Sequence, residues 1–236
     1  MTLLRFFIEK TSPLFDIKDR EVLNHISARH LVQGDEIIVC DGDGKTYRYK
    51  IIKKKKDSVT VERLEEIEVF KPKKRVIYAQ SLLRPRKLDL IVTLATQLGI
   101  EGFVFFISKR SSVMDVSVIE KRIERLKSLA VASASISLDK VPEFFTSVGL
   151  SSVIKEFSRF KPLMLYENAQ ERLNLDWLKK NALDDILLII GPEGGFDGDE
   201  VQLVRENGGL IFSVGERILT SETAGLVALS LIQFGI

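Results

Sequence analysis

A chain of 236 residues with 45% apolar and 29% charged residues at a net charge of +2 has material for one large domain or two ordinary ones, and a disordered polymer is excluded. No apolar run approaches the ~18 residues needed to span a bilayer, and the start Met1-Thr2-Leu3-Leu4-Arg5-Phe6-Phe7 lacks the pattern of a secretory signal. The single cysteine, Cys40, excludes an internal disulfide and fits a reducing cytoplasm, and with only His25 and His30 beside it no metal site is expected.

Residues 1–70 read as a small β-rich domain. Arg5-Phe6-Phe7-Ile8 is a short strand candidate, residues 19–25 one or two helical turns, and residues 36–40 a strand. Asp41-Gly42-Asp43-Gly44 is a tight turn, because Asp and Gly tolerate positive φ. Residues 46–53 return as the hairpin partner, with Tyr47, Tyr49 and Ile51 on one face. Ser58-Val59-Thr60-Val61 follows a lysine turn, and short strands at this spacing predict a small barrel. The charged segment 65–75, with Pro72, marks the boundary to a second domain of residues 71–236. Basic residues gather at 53–56, at 71–75 and at Arg84, Arg86 and Lys87. A nucleic acid would gain from them by counterion release; taken alone, lysine runs read as solvated hairpin ends.

From Val76 the rhythm becomes strand and helix in alternation. Residues 76–79 are a strand, and residues 87–98 an amphipathic helix with Leu88, Ile91, Val92, Ala95 and Leu98 on one face, stopped by Gly99. The apolar run 103–107 fits a parallel strand covered on both sides. Ser117-Val118-Ile119-Glu120 reads as a capping box opening a helix with the stripe Ile119, Ile123, Leu126 and Ala130. Residues 132–150 give no clear assignment. Residues 151–160 read as helix, 163–166 as strand, and a helix is expected around Asp176-Trp177-Leu178.

Two matched units follow. Residues 186–190 are an apolar run ending in Gly191-Pro192-Glu193-Gly194-Gly195-Phe196; residues 210–214 are another, ending in Gly215-Glu216-Arg217-Ile218-Leu219-Thr220-Ser221-Glu222-Thr223. Neighbouring parallel strands ending in such loops put a ligand at the carboxyl edge of the sheet. Between the units, Asp197 and Glu200 form a capping box, and Phe196 and Val201 are placed for a hydrophobic staple. The first loop has no Lys or Arg, and Glu193, Asp197 and Asp199 would repel a phosphate chain but suit hydroxyls, an amine or a sulfonium. The last helix, residues 222–234, is apolar or small almost all round, which suggests a subunit interface or deep insertion.

Together the two glycine loops resemble the RsmE family, the ribosomal small-subunit RNA (uracil-N3)-methyltransferases of the SPOUT superfamily. Asn24-His25-Ile26, Gly34-Asp35 and Asp41-Gly42 resemble its PUA-like barrel; Lys87-Leu88-Asp89, Ala95-Thr96-Gln97-Leu98-Gly99-Ile100 and Ser108-Lys109-Arg110-Ser111 resemble the start of its methyltransferase domain. The resemblance implies an α/β fold: a SPOUT-type parallel sheet with a C-terminal trefoil knot, preceded by the small PUA-like β-barrel. It also implies S-adenosyl-L-methionine as cofactor and a homodimer acting on ribosomal RNA or the small ribosomal subunit. The implied cofactor set is Leu165, Gly191, Pro192, Glu193, Gly194, Gly195, Val214, Gly215, Ile218, Leu219 and Thr223. The sequence departs from the family pattern at Thr93-Leu94, Gln97, Lys109, Ala134-Ser135, Ser137-Leu138 and Thr220. The last of these stands where the family has Arg.

The reaction so implied is methyl transfer to the N3 of a uridine in small-subunit (16S) ribosomal RNA. Arg110 and Arg217 are candidates to stabilise the uracil anion and Glu222 to accept its proton. Arg5, Arg29, His30 and Lys87 are candidates for RNA contact, with looped or single-stranded RNA as the form bound. The alternatives are an RNA-binding homodimer with a different target or little catalytic activity, and an unrelated small-molecule α/β enzyme.

Overall fold

The computed structural model describes residues 3–41, 44–68, 74–137, 140–181 and 185–235. The remaining positions, including Gly42 and Asp43 of the expected turn, Pro72 of the expected boundary and Leu138, lie outside the described residues. The chain divides into two compact units, Met1–Lys71 with Val131–Val141, and Pro72–Ala130 with Pro142–Ile236.

The first unit holds β1 (Leu4–Phe7), β2 (Leu14–Ile17), α1 (Arg20–Ala28), β3 (Glu36–Cys40), β4 (Thr46–Lys54) and β5 (Val59–Ile67). Their order in one sheet is β1-β3-β4-β5-β2, with β1 parallel to β3 and the other pairs antiparallel. Alternation along β4 sends Tyr47, Tyr49 and Ile51 into a core with Phe6, Ile37, Val39 and Val61. Helix α1 starts where Asp19 accepts hydrogen bonds from the N–H groups of Glu21 and Val22 at 2.9 and 3.0 Å, and it lays Val22 and Ile26 on that core. Strand β5 runs to Ile67, so Glu65 and Glu66 of the charged segment are sheet rather than linker.

The second unit opens with β6 (Arg75–Ser81), α2 (Pro85–Gln97), β7 (Gly102–Phe106), α3 (Ser117–Glu120) and α4 (Ile123–Ser137). Ser117 is not the capping residue expected of it. The Asp115 carboxylate takes both its N–H (2.9 Å) and its hydroxyl (2.6 Å), so α3 is a single turn and the helix restarts at Ile123. From Val131 onward α4 belongs to the first unit, a return that a division at residue 70 does not contain. Arg5 of β1 holds it there, donating to the Ile136 carbonyl at 2.9 Å.

The chain continues through β8 (Glu143–Ser147), α5 (Leu150–Glu156), β9 (Lys161–Leu165), α6 (Leu175–Lys180), β10 (Asp185–Ile190), α7 (Gly198–Glu206), β11 (Leu210–Phe212) and α8 (Ser221–Phe234). All strand pairs of this sheet are parallel, in the order β11-β9-β10-β6-β7-β8. Strands β10 and β11, which carry the two glycine loops, are therefore not neighbours; β9 lies between them and adds a third strand end to the ligand edge. One face of the sheet, with Leu187, Ile189, Ala79, Val104 and Met164, is covered by α5 and α7. On the other, α8 crosses β10 and packs on α2. Within the single chain α8 is not buried all round: Gly225, Ala228, Leu229 and Ile232 are, but Val227 is 37% and Phe234 55% exposed.

Candidate functional site

The site grows from the ends of β9, β10 and β11. Strand β10 stops at Gly191, whose missing side chain makes room for the Phe196 ring folded beneath it; a Cβ there would sit 3.1 Å from that ring. The loop turns on a Gly195 N–H to Pro192 carbonyl bond of 3.0 Å. Gly195 has φ +67°, and a Cβ on it would stand 2.7 Å from a carboxylate oxygen of Glu167, just beyond β9. The loop then enters α7 through the expected capping box. The Asp197 carboxylate accepts from the Glu200 N–H at 2.9 Å, and the Glu200 carboxylate accepts from the Asp197 N–H at 3.1 Å.

Residues 108–111, after β7, brace this loop from outside. Lys109 Nζ reaches Asp199 at 2.6 Å and Asp197 at 2.9 Å, and its N–H donates to Glu200 at 3.2 Å. The ammonium holds the Asp197 carboxyl below the ordinary aspartate range, and the two carboxylates, Asp199 first, push the Lys109 pKa up. Arg110 donates to the Gly194 carbonyl at 3.2 Å.

The second loop, residues 213–220, is fixed at its start by a 2.9 Å bond from the Ser213 N–H to Glu171 and by an Arg172–Glu216 ion pair of 2.8 Å. At its end the two loops are latched together. The Ser221 hydroxyl donates to the Gly191 carbonyl at 2.6 Å, and the fully buried Gln80 amide reaches the same carbonyl (3.3 Å) and Ser221 (3.1 Å). Lys87, from the first turn of α2, stands 3.4 Å from Glu193 of the first loop and 3.2 Å from Glu222 of α8. Burial works to raise the Glu222 pKa, but its own backbone N–H, Lys87 and Thr220 together outweigh that and hold it below the ordinary glutamate range.

Between the loops lies a cavity of about 480 Å³, within the range of small-molecule sites. Leu165, Gly191, Pro192, Glu193, Gly194, Gly195, Val214, Gly215, Ile218 and Leu219, all singled out from the sequence, line it, as does Arg217. Lys87, read above as an RNA candidate, is in the cavity wall too. Thr223 lies outside that lining, its hydroxyl 3.0 Å from that of Thr220, and so do Arg110 and Glu222. Arg5, Arg29 and His30 are exposed residues of the first unit. Glu167 and Ser221 line the cavity without having been read as site residues. The signal for Glu167 was its place just after the apolar run 163–166; for Ser221 there was only its helix-start position. Acidic side chains (Glu167, Glu193, Glu216) outnumber the basic pair Lys87 and Arg217 on the wall, and no cation lies in the first loop. Glycine-exposed backbone with carboxylates around it fits a nucleoside carrying a cation better than a phosphate chain.

A parallel sheet with two glycine loops closing a cavity at its carboxyl edge defines an α/β protein that binds a nucleoside-like ligand there. Residues 71–233 match the RNA methyltransferase domain, and residues 17–62 match the RNA methyltransferase PUA domain. The chain belongs to the RNA methyltransferase family, and the resemblance read from the glycine loops is borne out. It is 29% identical over 247 residues to the ribosomal RNA small subunit methyltransferase E of Bacillus subtilis (strain 168), covering 98% of this chain and 96% of that one. To the protein of the same name from Mesomycoplasma hyopneumoniae (strain 232) it is 25% identical over 228 residues, covering 96% and 97%. In fold it is similar to a ribosomal RNA small subunit methyltransferase E from Neisseria gonorrhoeae, bound to S-adenosyl methionine in its crystal structure, with TM-score 0.85, 23% identity and coverage of 98% and 97%.

Proposed function

We propose that this protein transfers the methyl group of S-adenosylmethionine to N3 of a uridine in small-subunit ribosomal RNA, as a cytoplasmic homodimer. The observation that carries the reading is the cavity between the two latched glycine loops, in a chain of the RNA methyltransferase family. The residues present fit the donor: a Cβ at Gly195 would press on Glu167, so backbone alone forms that wall, and the carboxylates about it suit a sulfonium. When bound, the donor supplies a methyl group already activated by positive charge, so positioning supplies much of the rate.

In this reading the backbone of residues 191–195 and 214–219, with Leu165, holds the adenosine part, and Thr223 steadies the second loop through Thr220. Arg217 on the cavity wall and Arg110, anchored on the Gly194 carbonyl, stabilise the uracil anion. Glu222 is engaged by Lys87 and kept ionised, which makes it a weak proton acceptor and favours a positioning role. Residues 1–70 form the PUA-like barrel that binds RNA, with Arg5, Arg29 and His30 as contacts, and residues 71–236 the SPOUT methyltransferase domain, its C-terminal part tied in a trefoil knot. Looped or single-stranded RNA suits such a surface, since its bases can turn outward.

The test is nucleoside mass spectrometry of ribosomal RNA from cells with and without this gene. Loss of N3-methyluridine from the small subunit in the deletion strain is the expected result; an unchanged level overturns it. One observation favours a second reading, an RNA-binding homodimer with another target or little turnover. Thr220 stands on the cavity wall where the family resemblance calls for Arg, and its hydroxyl is turned onto Thr223. Incubating RNA with labelled donor separates the two, since transfer to any other nucleoside, or none, supports the second.

A further inference from the structure

The first turn of α2 runs against local preference. It begins Pro85-Arg86-Lys87, contains no acidic residue, and its N-cap Arg84 makes no side-chain cap bond. Two cations at the positive end of a helix dipole cost stability. Breaches of a local rule concentrate where a site needs them. Here the reason lies opposite Lys87: its ammonium stands between Glu193 of the first glycine loop (3.4 Å) and Glu222 in the first turn of α8 (3.2 Å). The three side chains are 29%, 33% and 16% exposed, so the pairs are half-shielded from water. Tyr78 of β6, fully buried beneath, is a further titratable group against Glu222.

We propose that Lys87 is a positioning residue that straps the first glycine loop to the start of α8, the helix that the second loop enters, and so sets the affinity of the site for the adenosyl ligand. The inference rests on the methyl-donor reading above. Inside the cavity the loops are joined by Ser221 and Gln80 through the Gly191 carbonyl, which fixes only the base of the first loop. Glu193 is nearer its tip, and Lys87 is the cation that reaches it from a rigid helix. Without Lys87, Glu193 and Glu222 face each other as like charges, and the tip of the first loop moves off the second. A helix-borne cation paired with the first loop and with the first turn of α8 also explains why Lys87 lines the cavity.

The test is calorimetric binding of S-adenosylhomocysteine to the full-length protein. This probe carries no sulfonium, so its affinity reports loop geometry rather than attraction of a cation to freed carboxylates. Wild type is expected to bind; Lys87→Met is expected to weaken binding about fivefold near neutral pH, in keeping with two half-exposed ion pairs. As pH falls the deficit shrinks, because Glu222, no longer held ionised by the ammonium, takes up a proton and ceases to repel Glu193. Lys87→Met/Glu193→Gln recovers part of the loss, so the two substitutions are not additive. Lys87→Gln replaces Lys87→Met should the latter not fold. Additive losses, a deficit independent of pH, or unchanged affinity with weakened RNA binding each overturn the strap and leave the methyl-donor reading standing. Wild type that fails to bind overturns that reading and the strap with it.

Discussion

At Gly195 two independent constraints meet in one residue. Its φ of +67° is open to glycine and costs other residues about 1–2 kcal/mol. A Cβ there would also stand 2.7 Å from the Glu167 carboxylate in the cavity wall, which must then shift. Gly195→Ala is therefore expected to weaken S-adenosylhomocysteine binding by about tenfold or more, for a cost of about 1.4 kcal/mol or above, while a scanning melt shows the fold retained. Binding equal to wild type would mean that the loop does not hold the ligand. A second residue-scale effect concerns pH. The Lys109 ammonium depresses the Asp197 pKa, with the Glu200 N–H assisting. A carboxyl whose folded pKa lies below its unfolded one contributes stability above the unfolded value and loses it as pH falls through the folded pKa. The brace on the first loop thus persists at neutral pH and dissolves only in acid. In Lys109→Met the Asp197 titration, followed by carboxyl NMR, is expected to move up toward the ordinary aspartate value, so loosening begins at higher pH.

Elements show where a pattern sufficed and where it did not. Helix α7 was legible to the residue because its signals are local: Asp197 and Glu200 form the expected capping box, and Phe196 and Val201 share one buried cluster, all within six positions. The two cavity loops were legible because glycine at the end of an apolar strand has few other uses. Strand β8 was not, since Glu143-Phe144-Phe145-Thr146-Ser147 is short, lies at the sheet edge and carries no clean alternation. The far end of α4, rich in Ala and Ser, has no stripe strong enough to separate helix from loop. Lys87 read as a basic residue at a helix start, and only the fold brings α2 against residues so distant in sequence. Helix α8 shows such a distant constraint in its packing. Gly225 lies over Tyr78, whose buried hydroxyl has no hydrogen-bond partner among the described residues, and a Cβ on Gly225 would overlap that hydroxyl. Helix propensity alone would make Gly225→Ala stabilising by about 1 kcal/mol. Overpacking of about 1–3 kcal/mol is expected to reverse the sign. Denaturant unfolding checks this, and Tyr78→Phe, which removes the overlapped hydroxyl but keeps the ring carbon 2.8 Å from the added Cβ, should recover part of the loss in Gly225→Ala.

For the whole molecule the informative surface is the outward side of α8. Thr223, Val227, Leu231 and Phe234 follow one another at helical spacing, opposite the stripe Gly225, Ala228, Leu229 and Ile232 that packs inward. Val227 is 37% and Phe234 55% exposed, and Ile218, in the loop feeding the helix, is 93% exposed. Large apolar side chains are left uncovered in a row when another surface covers them. In the homodimer proposed above, what covers that surface is a second copy of the same helix. A two-fold interface uses the same patch on both subunits, so one substitution introduces two charges into it. Val227→Glu is expected to convert the protein from dimer to monomer in sedimentation equilibrium at micromolar concentration, whereas a glutamate at exposed Leu64 of the first unit leaves the dimer intact. Because Ile218 and Leu219 belong both to the cavity wall and to the loop entering α8, dissociation should also weaken S-adenosylhomocysteine binding. A Val227→Glu protein that remains dimeric would move the subunit contact elsewhere, and one that becomes monomeric with full affinity would separate the cofactor site from the interface.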